Sequence, residues 1–190
     1  VYAKGRPLFV DAGVDTYSKK TFSGQRYDLW AMQSAYHSLL PVIDDVQQQP
    51  GGRFRASAVQ ATDNVQESSL SLDIASAYPP EAKIASWHRS ITLVRGRGVR
   101  VVDDFALREP VKTITLRLLT PSLISEDAPG KFRLRTQALP NAGAAADGAL
   151  TMSPALPMTT ESLPMLPAGK LAGVWGDALQ AMVFTWEAPP

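Results

Sequence analysis

Apolar and polar residues alternate over short stretches at residues 7–10, 69–74, 90–94, 99–102, 113–119, 131–136 and 182–186. That period of two is the mark of strands with one face on a core. In TITLRLL, Ile114, Leu116 and Leu118 fall on one face and Thr113, Thr115, Arg117 and Leu119 on the other, as in a half-covered strand. Arg95-Gly96-Arg97-Gly98 separates SITLV from VRVVDDF, a short glycine-bearing loop between β-rich runs that predicts a hairpin. The 13 glycines and 15 prolines are spread along the chain, leaving few uninterrupted stretches for a helix of about 11 residues, the globular mean. The pattern predicts an all-β fold, a two-layer antiparallel β-sandwich.

Two stretches depart from that pattern. Residues 27–40 (YDLWAMQSAYHSLL) hold neither Pro nor Gly, and their apolar positions fit a helix about as well as a strand; we read strand or loop. Residues 141–157 are rich in Ala, Gly and Pro and almost uncharged, which predicts a flexible surface loop. The stretch after it is too short for an independent core, so that tail, and LAGVWGDALQAMVFTWE especially, is expected to add final strands to the same sheets. The expectation is one β-sandwich domain over residues 1–190.

Composition narrows the function classes. With 45% apolar residues among 190, the chain can bury a proper core. Nineteen basic against eighteen acidic residues leave a net charge of +1, which argues against a nucleic-acid or anionic-membrane binder. Zero cysteines remove disulfides, thiolate metal sites and cysteine nucleophiles, a composition that suits an oxidising compartment. No apolar run approaches the roughly 18 residues of a membrane span. The chain begins at Val1 and reads as a processed or excised piece of something longer.

Histidine is the usual general base and metal ligand. Of the two histidines, His37 lies in MQSAYHSLL and His88 in SWHRS, and each suits a packed side chain unless a second feature joins it. For His37 that feature is Asp11, in PLFVDAG, an acid at the point where an apolar run gives way to a turn. Imidazole and carboxylate together suit zinc, which wants three protein ligands where this pair gives two; alternatively Asp11 caps the turn containing Gly13. Asp44-Asp45 and Asp103-Asp104 each place neighbouring acids on opposite faces of a strand, a turn or surface arrangement. Arg53, Arg55, Arg95, Arg97 and Arg100 read as solvated strand edges. Arg26-Tyr27, after the glycine of FSGQRYDLW, offers a guanidinium fork for a carboxylate or sulfate, or an internal salt bridge. No Walker loop, dinucleotide fingerprint, GxSxG elbow or HExxH occurs.

In order along the chain, GRPLFVDAGVDTYS, FSGQRYDLWAMQSAYHSLLPVID and DIASAYPPEAKIASWHRSITLVRGRGVRVVDDF resemble the C-terminal domain of the heparinase II/III-like polysaccharide lyases. The resemblance runs from about Tyr2 to Phe105 and thereafter is only to a general β pattern. It implies a β-sandwich that flanks a cleft together with an N-terminal α/α toroid, where an acidic polysaccharide is cut by β-elimination. It further implies that Asp11 and His37 are two members of a zinc site whose remaining ligand lies upstream. Arg26 and Tyr17 would then face substrate. The catalytic residues would lie mainly in the toroid and are unknown in this chain, which by itself is expected to be inactive or nearly so. Ser38 stands where the family more often carries Asn. A periplasmic or secreted location follows from the same resemblance. The competing reading is a non-catalytic carbohydrate-binding or structural β-sandwich module, in which Trp30, Trp87 and Trp175 stack on sugar rings.

Overall fold

The computed structural model describes residues 1–141 and 143–188. In chain order the strands are β1 (Tyr2–Ala3), β2 (Arg6–Pro7), β3 (Val42–Ile43), β4 (Ser57–Asp63), β5 (Glu67–Asp73), β6 (Ile84–Val94), β7 (Gly98–Leu107), β8 (Thr113–Thr120), β9 (Leu123–Ala128) and β10 (Lys131–Arg135). They continue with β11 (Ala138–Leu139), β12 (Gly143–Ala144), β13 (Gly148–Thr151), β14 (Met158–Pro164) and β15 (Ala178–Glu187), with one short helix, α1 (Lys170–Trp175), before the last. The fold is all-β and antiparallel, a β-sandwich as the alternation predicts. Its contacts gather into two compact units, one made of residues 1–41 and 114–187 and the other mainly of residues 42–113. No helix among the described residues is long and apolar enough to cross a membrane.

In the first unit, β8, β15 and β14 lie side by side in one sheet, and β9, β10 and β13 form another. Leu118 of β8, Met182 and Phe184 of β15, and Phe132 and Leu134 of β10 make a single buried cluster with Leu8 and Ala146. The Phe132 and Phe184 rings meet edge to face with centroids 5.5 Å apart, a favoured aromatic geometry. The second face of β15 is also buried: Leu179 and Ala181 join Leu119 of β8, Leu163 of β14, and Leu171 and Trp175 of α1. A strand covered on both faces needs apolar residues in succession, and ALQAMVFTWE supplies them.

Several expectations are corrected here. Leu119, assigned to the open face of its strand, is fully buried, because α1 and the segment carrying Trp30 and Tyr36 cover that face. Residues 27–40 form neither strand nor simple loop. Three 3-10 turns, Arg26–Asp28, Trp30–Met32 and Ser34–Tyr36, follow one another, each closed by local bonds such as Gln33 N–H to Trp30 O at 3.0 Å. Within 141–157, read as a flexible loop, β12 pairs with β11 and β13 with β10, while Ala145 and Ala146 are buried; small side chains let this stretch pack closely. Ala142 of that stretch lies outside the described residues. The tail contributes β15 as expected, but its LAGVW portion is helical.

In the second unit, β4, β5, β6 and β7 form a sheet in sequence order. The predicted hairpin closes where Val94 pairs with Gly98 across the Arg95–Arg97 turn. Trp87 is buried and stacks on Phe105 with centroids 4.4 Å apart. Beside it Arg89 donates from Nε and Nη2 to the two carboxylate oxygens of Asp103, both at 2.6 Å, the bidentate fork that suits a partly buried ion pair. Asp104, on the other face, pairs in register with His88. Asp44 accepts the N–H groups of Lys112 at 2.7 Å and Thr113 at 3.0 Å. One acid of each doublet, Asp44 and Asp103, thus serves the framework, while Asp45 and Asp104 are exposed.

Candidate metal and substrate site

Asp11 owes its position to the preceding residue. Val10 bridges Leu119, donating its N–H to the Leu119 carbonyl at 2.9 Å, and the chain then leaves the sheet. Asp11 Oδ1 accepts the Gly13 N–H at 3.0 Å, a short Asx-type turn. Gly13 takes φ +82°, a left-handed conformation that glycine adopts without strain. Trp175 Nε1 donates to Ala12 O at 2.9 Å, and Asp15 Oδ1 accepts the Leu171 N–H at 3.3 Å. The strand exit is therefore pinned to α1.

His37 follows the last of the three 3-10 turns and donates its N–H to Ser34 O at 3.1 Å. Its Nδ1 is hydrogen-bonded directly to Asp11 Oδ2. Residues 26 positions apart, brought together only by the fold, thus form a carboxylate–imidazole pair. Both side chains are part-exposed, 38% for His37 and 53% for Asp11, so the pair is open to a ligand. The hydrogen bond from Asp11 is the main cause that raises the His37 pKa, against a smaller desolvation effect. The same bond is the main cause that lowers the Asp11 pKa, helped by the Gly13 N–H and opposed by desolvation.

Zinc takes three protein ligands when the fourth position is open and four when closed. Asp11 and His37 are suitable donors, but among the described residues no third His, Asp or Glu joins them. The donors among the described residues number two, one fewer than zinc takes from a protein at an open site.

Arg26 and Tyr17 are placed in the segment between the two. Arg26 is part-buried and its Nη1 donates to Thr21 O at 3.0 Å. Tyr17 is 65% exposed and its ring tilts against Phe22, centroids 5.2 Å apart. Among the described residues, no hydrogen bond ties either to the Asp11–His37 pair. His88 lies 3.5 Å from the Asp73 carboxylate and belongs to the second unit. Of the tryptophans considered as sugar platforms, Trp87 and Trp175 are buried, and Trp30 packs at the core edge against Tyr36.

Sequence reasoning missed one polar group next to this site. Arg117 donates from Nε to Glu161 Oε2 at 3.2 Å, its guanidinium lies 5.2 Å from the Tyr36 ring, and Tyr36 donates its hydroxyl to Glu161 Oε1 at 3.5 Å. Burial, with the neighbouring Glu161 charge, raises the Tyr36 pKa. Glu161 sits on β14, 125 residues from Tyr36, and no local pattern in the sequence joins them.

No curated protein matches the chain. The family described as Heparinase II/III-like, C-terminal, matches over residues 1–161, a stretch that holds Asp11, His37, Arg26 and Tyr17 and ends at Glu161. With most of its length matched, the chain belongs to the heparinase II/III-like C-terminal family.

Proposed function

We propose that this chain is the C-terminal part of a polysaccharide lyase that cleaves a uronic-acid-containing polysaccharide by β-elimination, forming one wall of the cleft beside an N-terminal toroid of the same protein. The observation that carries the reading is the direct Asp11–His37 bond in a chain of this family. We further propose that the two are members of a zinc site completed by a ligand outside this stretch of sequence, its role being to fix the position of the strand exit. We also propose a periplasmic or secreted location for the enzyme, in keeping with a polysaccharide substrate.

β-Elimination at a uronate removes the C5 proton, places negative charge on the carboxylate side of the sugar and protonates the leaving oxygen. The part proposed for this chain is to hold the sugar. Arg26 presents a guanidinium, the fork that a carboxylate accepts, and Tyr17 an exposed ring on which a sugar face can rest. Base and acid are assigned to the toroid.

The test is made on the longer protein that contains this chain. Products ending in an unsaturated uronate are expected, and Arg26→Ala should raise KM with little change in melting temperature. Saturated products from every uronate polymer would mean hydrolysis and end the lyase reading. A large loss of stability with unaltered kinetics in the folded fraction would return Arg26 to a structural role.

A further inference from the structure

The sheet of the second unit has two outer edges, β4 and β7, and they are built differently. On β4 the register with β5 shifts between Ser57 and Gln60, and Ala58 takes φ +50°. A bulge of this kind bends an edge and discourages further pairing. On β7 the register with β6 runs without a break from Phe105 opposite Trp87 to Gly98 opposite Val94. The strand GVRVVDDFAL contains neither Pro nor Lys, two of the residues that commonly protect an edge. Val102 is 51% and Phe105 44% exposed, and no other strand among the described residues lies on the outer side of β7. In an antiparallel sheet the main-chain groups of alternate residues face outward, so β7 presents a regular row of donors and acceptors.

The order of charges along β7 says what suits that row. Outward-facing residues alternate, so an antiparallel match with an identical strand must be centred on a residue. Centring on Arg100, Asp103 or Asp104 sets like charges opposite each other, which is unfavourable. Centring on Val101 sets Asp103 opposite Val99 and Asp104 opposite Gly98. Centring on Val102 sets Arg100 of each copy opposite Asp104 of the other, Val99 opposite Phe105, and Gly98 opposite Ala106. Asp103, already held by Arg89 within its own copy, then faces only Val101. One register therefore satisfies charge and apolar pairing together.

We propose that β7 pairs antiparallel with β7 of a second copy of this chain about a two-fold axis at Val102, an isologous contact. The contact joins two four-stranded sheets into one. A single strand pair is small beside the roughly 1,200–2,000 Å² of a standard stable interface, so the dimer is reversible and concentration-dependent.

Sedimentation velocity over a range of protein concentrations tests this, with far-ultraviolet circular dichroism to confirm folding. The wild-type chain should pass from monomer to dimer. Asp104→Arg and Arg100→Asp each turn two attractive cross-strand pairs into repulsive ones and should weaken dimerisation by about tenfold or more. The double swap should restore it. Because the chain has no cysteine, Val102→Cys gives an independent readout. Residues directly opposite in an antiparallel pair have Cα atoms about 4.5–5.5 Å apart, within disulfide reach, so mild oxidation should yield a covalent dimer. A chain that stays monomeric throughout, a dimer indifferent to both single reversals, or a Val102→Cys variant that does not cross-link in the dimer would each overturn the proposal.

Discussion

Ser38 Oγ donates to the Val10 carbonyl oxygen at 2.9 Å. Ser38 Oγ in turn accepts the Leu119 N–H at 3.2 Å. The residue after His37 is thereby bonded to the residue before Asp11, and both are tied to β8. A serine hydroxyl provides both a donor and an acceptor, and here both are used.

Ser38→Ala removes that link and leaves the Leu119 N–H without its partner. A cost of about 1–3 kcal/mol is expected for a buried group so deprived, seen as a lower urea midpoint at unchanged slope. Ser38→Thr, which keeps the hydroxyl, should recover most of the loss. Equal losses in the two variants would mean that the hydroxyl is not the cause.

The Asp11–His37 bond predicts a pH window. Asp11 is held below its ordinary 3.8, so its contribution to stability is present above that value and is lost as the pH falls through the lowered native one. His37 is held above its ordinary 6.5, so its contribution is full below that value and is lost as the pH rises through the raised native one. In metal-free buffer, the stability difference between wild type and Asp11→Asn should be greatest between pH 3.8 and 6.5 and shrink on both sides. The effect is screened, since both side chains are part-exposed. Unfolding midpoints that differ by the same amount at every pH would contradict the coupling.

Asp103 and Asp104, neighbours in sequence, should behave oppositely. Asp103→Ala leaves Arg89, 6% exposed in its side chain, as a buried charge without its carboxylate, which costs about 3–5 kcal/mol. Asp104→Ala, on the exposed face, should change stability in the monomer by less than about 0.5 kcal/mol. Denaturation of the two variants under dilute conditions gives the comparison directly.

How much of this was legible in the sequence depends on how local the cause was. The β6–β7 hairpin and the apolar run of β15 follow from alternation and turn residues, which are short-range signals. β4, SAVQATD, is exposed along its whole length, so no hydrophobic period marks it. β14 alternates weakly, and its place was hidden by the prolines on both sides. Residues 27–40 satisfy their backbone through 3-10 bonds, an outcome set by the sheet face that Trp30 and Tyr36 cover rather than by periodicity. At the site, Asp11 and His37 were suggested by residue type and by resemblance; their bond is a product of the Val10–Leu119 bridge and of Ser38. The Tyr36–Arg117–Glu161 group had no signal, because its members come from three separate elements.

The central claim is that this chain supplies a cleft wall and metal ligands while base and acid come from the toroid. The most direct measurement is ultraviolet absorbance of unsaturated uronate as heparan, alginate, hyaluronan and chondroitin polymers are incubated, in parallel, with the isolated 190-residue chain and with the longer protein. The account predicts rising absorbance with at least one polymer for the longer protein and none for the isolated chain, since the remaining members of a catalytic group do little without their partners. Robust absorbance growth from the isolated chain that disappears in His37→Ala would contradict it and make His37 a catalyst.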